Sequence, residues 1–239
     1  MKNFIGYIKT FLLIAFLVFL YGFSSSRNKL KKVDNIDIIF ENGDNLFITY
    51  EMVNKLLIQK YDGLKSQSKE NILLNKLEEV LLSNNMIDNA EVFLSVDGEL
   101  GAVIKQKTPI ARVRQDEGTY YIDSKGNKMP LSLNYSARVP IVEGISDGEI
   151  PKEIYTLASL IHKDEFLKKQ IIGIEQTPKK EFILKSRVGN QTIELGDLRQ
   201  IDKKIKKLKV FYHKNLNDKT SNVYKKINLM YDNQVVCTK

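Results

Sequence analysis

The sequence predicts an α+β protein with an N-terminal transmembrane helix, a β-α-α-β-β domain, and a β-rich domain of mostly antiparallel strands with flanking helices. Three observations predict this architecture. An apolar run extends from Phe4 to Phe23. Strand-type and helix-type hydrophobic periodicities then alternate as far as about residue 107. Beyond that point, short extended runs separated by turn-forming residues indicate hairpins. We therefore predict these boundaries: 1–30 for a short tail and anchor, 31–107 for the first domain, and 108–239 for the second.

The composition excludes a disordered chain and limits the chemistry of possible sites. The 239 residues are 43% hydrophobic, which is enough for one large core or two small ones. We interpret the net charge of +8 as a lysine-rich solvated surface, with an acidic protein, anionic lipid or nucleic acid as alternative partners. Because Cys237 is the only cysteine, neither an intrachain disulfide nor a cysteine-based zinc site can form.

The apolar run near the N-terminus is long enough to cross a membrane. Phe11 to Phe23 carries no charge, and Lys9 is the single charge between Phe4 and Phe23. A bilayer core requires about 20 apolar residues, which this range supplies if Lys9 extends toward the interface. The alternative is a cleaved signal peptide, since Ser24-Ser25-Ser26 offers small residues. We predict an uncleaved anchor because the run stays bulky up to Phe23.

The charges on either side of this segment bear on its orientation. Basic residues after the run outnumber those near its start: Arg27, Lys29, Lys31 and Lys32 against Lys2 and Lys9. By the positive-inside rule, this asymmetry favours a cytoplasmic location for the folded domains. Charge alone does not decide on which side of the membrane they lie.

The first domain is predicted to begin with a strand followed by two helices. Alternation predicts the strand over Asp34–Phe40, and Thr49 and Ser68 are candidate N-caps of the helices. Helical spacing places apolar residues on one face of each helix, namely Val53, Leu56 and Leu57 on the first and Leu73, Leu77, Val80 and Leu81 on the second. The two helices can cover the apolar face of a small sheet.

A predicted hairpin then leads into the second domain. Ala90–Val96 and Leu100–Lys107 read as strands joined by a turn at Asp97-Gly98. Proline cannot donate a backbone hydrogen bond to a sheet, so a strand ends or kinks at the proline that follows. We place the domain junction at Thr108, Pro109 and Ile110.

The second domain is predicted to contain many short strands and two helices. Extended segments are predicted at Ile110–Arg114, Thr119–Ile122, Arg138–Glu143, Ile171–Gln176, Glu181–Arg187, Thr192–Leu195 and Tyr224–Tyr231. Pro151 is predicted to be the first residue of a helix with one apolar face, formed by Ile154, Leu157, Ala158 and Ile161. Asp197 is predicted to cap a basic helix with its own apolar face, formed by Ile201, Ile205, Leu208 and Tyr212.

No arrangement of residues in the sequence predicts catalysis or metal binding. His162 and His213 are the only histidines, and they lack the i, i+4 spacing of a metal-ligand pair. Asp116, Glu117 and Asp123 lie in turn-like sequence, where acids are common. A lysine cluster has few interleaved aromatics for stacking nucleic-acid bases: Lys203, Lys204, Lys206, Lys207 and Lys209. We predict no enzymatic activity, no cofactor, no metal, no nucleic-acid partner and no small-molecule substrate.

Four short motifs, together with the order of the predicted segments, carry a family resemblance. They are Lys107–Ala111, Tyr120–Gly126, Thr192–Gly196 and Ile227–Tyr231. They resemble motifs of the FtsQ/DivIB family of bacterial cell-division proteins. The first resembles the passage from that family's POTRA (polypeptide-transport-associated) domain to its β domain, and the second resembles its Asp-x-x-Gly hairpin. The third resembles its strand with a Leu-Gly step, and the fourth resembles its Asp-Leu-Arg-Tyr segment. In the last motif, Asn228 and Met230 replace the usual acid and arginine.

The resemblance implies a function as well as a fold. It implies a POTRA-like first domain, a β domain, and a non-enzymatic single-span scaffold of the division septum in the bacterial inner membrane. It also implies that both folded domains lie on the periplasmic (extracytoplasmic) side, contrary to the charge asymmetry. The implied partners are small single-span coiled-coil division proteins of the FtsB type, paired with an FtsL type and bound through the late strands of the β domain.

The end of the chain is the expected partner-binding site. A terminal strand offers unpaired N–H and C=O groups along a sheet edge, and a partner strand can complete the ladder. By position, Tyr231 would be an aromatic anchor beside Asn233 and Gln234, with Val235 and Val236 continuing the edge. The alternative is that Tyr231 is a core residue and the last residues are frayed.

Two other classes of function stay open. A membrane-anchored POTRA adaptor could serve protein export or outer-membrane assembly, although such proteins usually carry a barrel or repeated POTRA units. The β-rich half could instead be an enzyme that uses Asp116, Glu117 or Asp123.

Overall fold

Two compact units make up the described part of the chain. The computed structural model describes residues 2–29, 36–43, 45–60, 74–95, 99–146, 148–217 and 224–239. The chain divides into one unit at 1–106 and another at 107–239. Helices and strands occur in both, and the second unit is the richer in strands, so the predicted α+β class is confirmed.

The N-terminal helix α1 spans Lys2–Lys29. Its segment Gly6–Phe23 is long and apolar enough to cross a bilayer, and none of it is buried within the protein. Its apolar side chains from Phe11 to Phe23 are exposed on all sides of the helix. A helix with this length and composition fits the predicted membrane anchor.

Apart from α1, the described residues of the first unit form a three-stranded sheet and two α-helices. The elements are β1 (Ile36–Phe40), a 3₁₀ turn (Glu41–Gly43), α2 (Tyr50–Lys60), α3 (Leu74–Leu82), β2 (Ile87–Leu94) and β3 (Leu100–Gln106). The strand order is β1-β3-β2, with β1 parallel and β2 antiparallel to β3. The predicted cap at Ser68 and the predicted turn at Asp97-Gly98 lie outside the described residues.

The pattern of burial explains how this unit packs. Ile38 and Phe40 are buried whereas Ile39, between them, is 47% exposed, because successive side chains of a strand point to opposite faces. The helices contribute to the same core through Val53, Leu57, Leu77 and Leu81. The predicted cap of α2 is confirmed, since Thr49 Oγ1 accepts the Met52 N–H at 3.4 Å.

In the part of the second unit that the structure describes, nine strands form one sheet, and three helices accompany it. Its strands are β4 (Pro109–Gln115), β5 (Gly118–Asp123), β6 (Lys128–Met129), β7 (Ile141–Glu143), β8 (Ile171–Gln176), β9 (Phe182–Ser186), β10 (Thr192–Gly196), β11 (Lys226–Asn228) and β12 (Val236–Thr238). Its helices are α4 (Lys152–Lys163), α5 (Glu165–Gln170) and α6 (Ile201–Asn217). The strand order is β12-β11-β10-β9-β8-β7-β4-β5-β6. Among the described strands, five of the eight pairings are antiparallel, as predicted.

One face of this sheet is apolar and the other is charged. A row of paired residues crosses the apolar face, each at most 1% exposed: Val113, Val142, Ile174, Leu184, Ile193 and Ile227. The helices join this core through Ile154, Leu157, Leu167 and Leu208. On the other face, Glu143 pairs with Arg114 at 2.9 Å and with Lys185 at 3.0 Å. Burial of each large aliphatic side chain stabilises the fold by about 1.5–3 kcal/mol, so the helices pack on the apolar face.

The predicted helix starts in the second unit are wrong in detail. Pro151 is the N-cap residue, and α4 begins one residue later. Asp197 does not cap α6, because that helix begins at Ile201 after Gln200, whose φ is 54°. The short helix α5 was not predicted, since six residues cannot display helical periodicity.

Two predicted strands are shorter than expected. Arg138–Glu143 pairs as a strand only over β7, because Pro140, directly before β7, has no N–H to donate to a neighbouring strand. Tyr224–Tyr231 is interrupted after Asn228, whose side-chain Oδ1 accepts the Met230 N–H at 2.9 Å. Such an asparagine turn competes with the ladder and ends the strand.

Candidate functional site: the C-terminal sheet edge

The last strands of the chain form one end of the nine-stranded sheet. β11 lies parallel to β10, and β12 returns antiparallel to β11, with Cys237 opposite Ile227. Among the residues that the structure describes, no strand pairs with the outer side of β12. An edge strand of this kind can accept a further strand through its outward N–H and C=O groups.

The five predicted partner-binding residues lie in β12 and in the connection that precedes it. Tyr231 is 51% exposed, so the alternative that it is a core residue is wrong. Asn233 and Gln234 are exposed, whereas Val235 is half-buried against the core. Val236 is 39% exposed and begins β12. These residues therefore lie in the edge strand and in the connection that leads into it, and not on the continuous strand that was predicted.

Two lysines of α6 hold the ends of the neighbouring strands. Lys204 Nζ donates to the carbonyl oxygen of Leu195, near the end of β10, at 3.0 Å and to that of Asp197, just after β10, at 2.8 Å. Lys207 Nζ, one turn further along the helix, donates to carbonyl oxygens between β11 and β12, beginning with Leu229 at 3.1 Å. Both lysines are half-buried, and they fasten the helix to the end of the sheet.

A groove of about 510 Å³ lies between α6 and the connection that leads to β12. Its apolar lining includes Val210, which is 60% exposed, together with Phe211 and Val235. Exposed lysines also line it, among them Lys203 and Lys206. The groove therefore combines apolar surface with positive charge beside the connection that leads into the open strand.

This groove was not predicted from the sequence. The pattern that could have found it is the i, i+3, i+7 spacing of Lys203, Lys206 and Val210 on the side of α6 away from Leu208. An exposed valine between lysines on an otherwise amphipathic helix indicates a second contact surface. The connection that forms the opposite wall is far along the chain, so spacing alone could not have located it.

Known protein families match both units. The family described as FtsQ/DivIB, C-terminal related matches residues 108–238, which is more than half of the chain. The chain belongs to the FtsQ/DivIB family. A POTRA-like domain matches residues 32–105, so the resemblance predicted from the sequence is confirmed. No curated protein matches the chain.

Membership of the FtsQ/DivIB family defines the general role of the protein. Proteins of this family are membrane proteins of the division site, and FtsQ/DivIB and POTRA domains belong to non-catalytic scaffold families. Proteins of the FtsQ/DivIB family take part in protein–protein interactions within the divisome. The apolar helix α1 fits the single-pass anchor of such a protein.

The segment Ile227–Tyr231 departs from the FtsQ/DivIB motif that it resembles, but its side chains form defined contacts in the sheet. Asn228, at the position of the usual acid, donates its amide to Glu194 Oε2 at 2.7 Å, and Lys226 donates to Glu194 Oε1 at 2.8 Å. These two bonds join β11 to β10 across the sheet. Met230, at the position of the usual arginine, lies over Gly196, where an added Cβ would be only 2.9 Å from Met230 Cγ. Asn228 therefore contributes a cross-strand hydrogen bond, and Met230 contributes a packing contact.

The predicted junction residues lie at the start of the second unit. Thr108 accepts the Ser124 N–H through its carbonyl oxygen at 2.8 Å. Pro109 begins β4, and Ile110 is 1% exposed. Their assignment as a domain junction remains a proposal.

The environments of Cys237, His162 and Asp123 indicate structural roles for these residues. Burial raises the pKa of the Cys237 thiol, which disfavours the reactive thiolate. Burial also lowers the pKa of His162, helped by nearby lysines, so that its neutral form prevails at pH 7. Asp123 is 1% exposed and accepts the N–H groups of Lys125 and Asn127 at 2.9 and 2.8 Å, as turn-forming aspartates do. Within the described ranges, no group of three or more His, Cys, Asp or Glu residues could hold a metal ion.

Proposed function

We propose that the protein is a non-enzymatic, single-span scaffold of the divisome that binds a small coiled-coil division protein of the FtsB type, itself paired with an FtsL type. The open edge of β12 at the end of the sheet is the observation that supports this proposal most strongly. A partner strand would pair with that edge and extend the ladder. Backbone pairing would supply much of the affinity, and side chains beside the edge would supply specificity.

The surroundings of the edge define the chemistry of the partner. Tyr231 offers an exposed aromatic side chain, and the groove offers Val210 and Val235 for apolar contacts. Exposed lysines beside them favour an acidic partner segment by charge complementarity. We therefore propose that the partner presents an extended strand next to a segment with apolar and acidic side chains.

A binding measurement with the full chain in detergent tests the proposal. The probe is the membrane-distal segment of an FtsB-type protein, added with and without its FtsL-type partner. Tyr231→Ala should weaken binding at least about tenfold, because exposed tyrosines at interface centres are frequent hot spots. Val236→Pro should weaken it as well, because a proline at this position disrupts β12, the strand with which the partner would pair.

Leu133→Ala is the matched control for this measurement. Leu133 is an exposed apolar residue of the same unit, and it follows β6 at the opposite end of the sheet from β12. Its replacement should leave affinity unchanged. Equal affinity of the wild type, Tyr231→Ala and Val236→Pro would contradict the proposed site, and no binding by the wild type would contradict the proposed function.

We also propose that both folded units lie on the periplasmic side of the inner membrane. The family role supports this orientation, against the basic residues that follow the anchor. A Cys237→Ser, Lys239→Cys variant places one exposed thiol at the chain end. In spheroplasts, a membrane-impermeant maleimide should label it before lysis; labelling only after lysis would reverse the proposed orientation.

A further inference from the structure

Lys207 is the one described side chain that contacts three backbone carbonyls of the connection between β11 and β12. Its Nζ donates to Leu229 O at 3.1 Å, to Tyr231 O, and to Asp232 O at 3.3 Å. An ammonium group has three N–H donors and no acceptor, so these three contacts use its full capacity.

The three carbonyl groups belong to the segment in which the chain changes direction. Leu229 still follows the sheet, because its N–H donates to Glu194 O at 2.9 Å. By Val236 the chain has reversed and runs antiparallel to β11. Charge-assisted hydrogen bonds are stronger than neutral ones, so a cation at the centre of this reversal favours one conformation of the connection.

Lys204, one turn earlier on α6, also donates to backbone carbonyl groups, but at the end of β10. Its Nζ donates to Leu195 O, Asp197 O and Asp197 Oδ1 at 3.0, 2.8 and 3.2 Å. Lys204 and Lys207 are half-buried, whereas their neighbours Lys203 and Lys206 are exposed. Of Lys204 and Lys207, only Lys207 contacts the segment that carries Tyr231.

We propose that Lys207 is a positioning residue for the partner-binding edge. Its ammonium group sets the conformation of residues 229–232, and thereby places the Tyr231 side chain and the start of β12 for an incoming strand. The contacts of this cation from α6 lie on both sides of Met230, at Leu229 O and Tyr231 O. The inference rests on the proposed function, since it assigns a role within the same edge.

The test compares three variants of the full chain in detergent: Lys207→Met, Lys207→Arg and Lys206→Met. The methionine variants each remove one positive charge from the groove and keep an unbranched side chain. Only Lys207→Met also removes the contacts to the three carbonyls. Arginine keeps the charge and several donors, so Lys207→Arg should restore part of the lost order and affinity.

Two readouts separate positioning from simple charge attraction. Hydrogen exchange of the amides in 231–238 should accelerate in Lys207→Met and stay unchanged in Lys206→Met. Affinity for the FtsB-type segment should fall at least about tenfold in Lys207→Met and no more than about threefold in Lys206→Met, whose exposed charge is screened by solvent.

Each outcome bears on the proposal. Equal exchange in the two methionine variants would overturn the positioning role, even if the wild type does not bind the probe. Faster exchange in Lys207→Met with unchanged affinity would also overturn it, because the ordered connection would then be irrelevant to binding. If Lys207→Met does not fold, Lys207→Arg is compared with Lys207→Gln. Slower amide exchange and tighter binding in Lys207→Arg would support the positioning role. Equal exchange and equal affinity in these two variants would overturn it.

Discussion

The hydroxyl group of Tyr212 joins three parts of the second unit. The residue is 1% exposed, and its Oη lies 2.7 Å from Gln191 Oε1 and 3.1 Å from Ser186 Oγ. Gln191 in turn donates to Tyr224 O at 3.1 Å. Burial raises the pKa of Tyr212, so it stays a neutral hydrogen-bond donor at physiological pH. One phenol thus connects α6 with the turn before β10 and with the chain that enters β11.

Tyr212→Phe should lower the free energy of unfolding by about 1–3 kcal/mol, because it removes the buried hydrogen bonds of the hydroxyl group with Gln191 and Ser186. Thermal unfolding of the full chain in detergent measures the effect. Tyr155→Phe is the control, since Tyr155 Oη donates to Ser124 O in an exposed position at 3.1 Å. Equal melting temperatures for the two variants would contradict the prediction that the buried hydroxyl group of Tyr212 stabilises the fold more than the exposed one of Tyr155.

Among the elements, α5 depends on one aspartate. Asp164 Oδ1 accepts the N–H groups of Phe166 and Leu167, both at 3.1 Å, and Lys209 Nζ of α6 pairs with Asp164 Oδ2. Burial alone would raise the pKa of Asp164, but the hydrogen bonds from Lys209 and from the two backbone groups together lower it below its ordinary value of 3.8. The cap therefore joins α5 to α6.

Asp164→Asn tests the charged part of this contact, because asparagine keeps the capping oxygen. The wild type should be more stable at pH 7 by less than about 1 kcal/mol, since the pair is partly exposed to solvent. A lowered folded pKa stabilises the fold above pH 3.8, the ordinary value, and this contribution disappears as the pH falls through the folded value. Melting temperatures measured from pH 7 to pH 2 should converge; a constant difference would contradict the pairing.

The outer edge of β2 in the POTRA-like domain is partly occupied by a side chain. Glu78 of α3 accepts the Val92 N–H at 2.8 Å. β2 is the last strand on its side of the sheet, so this N–H points to where another strand would pair. A carboxylate at that place opposes strand addition. The contact disfavours the alternative of a POTRA adaptor that takes up client strands along β2.

Glu78→Ala should lower stability by about 1–2 kcal/mol and increase concentration-dependent self-association, because the edge N–H loses its charged acceptor. Glu79→Ala is a matched control, since Glu79 is its exposed neighbour on the same helix. Chemical cross-linking in detergent over a range of protein concentrations measures the association. Indistinguishable behaviour of the two variants would contradict the shielding role.

For the whole molecule, we predict that membrane attachment depends on the uncharged apolar surface of α1 from Phe11 to Phe23. Leu17 lies within Gly6–Phe23 and is 56% exposed in the absence of lipid. Leu17→Arg should reduce integration, because an arginine at the centre of a spanning helix costs about 2.5–3.5 kcal/mol. Alkaline extraction of membranes should release more of this variant than of Leu17→Ala. Equal retention would show that another segment attaches the protein.

Local sequence patterns were sufficient to predict the structure of segments whose conformation depends on neighbouring residues in the chain. The faces of β1 and α4 follow from hydrophobic spacing, and Ile154, Leu157, Ala158 and Ile161 are all buried as predicted. The anchor follows from length and composition, and the family from motifs spread along the chain. The general position of the candidate site at the chain end could also be predicted from those motifs.

Tertiary contacts decided the form of that site. The parallel pairing of β10 with β11, the break after Asn228 and the contacts of Lys207 join residues that are far apart in the sequence. A lysine on an amphipathic helix has the same local pattern whether it faces solvent or donates to backbone carbonyls. Only the folded chain distinguishes Lys206 from Lys207, because the partners of Lys207 come from a segment that is brought to α6 by the sheet.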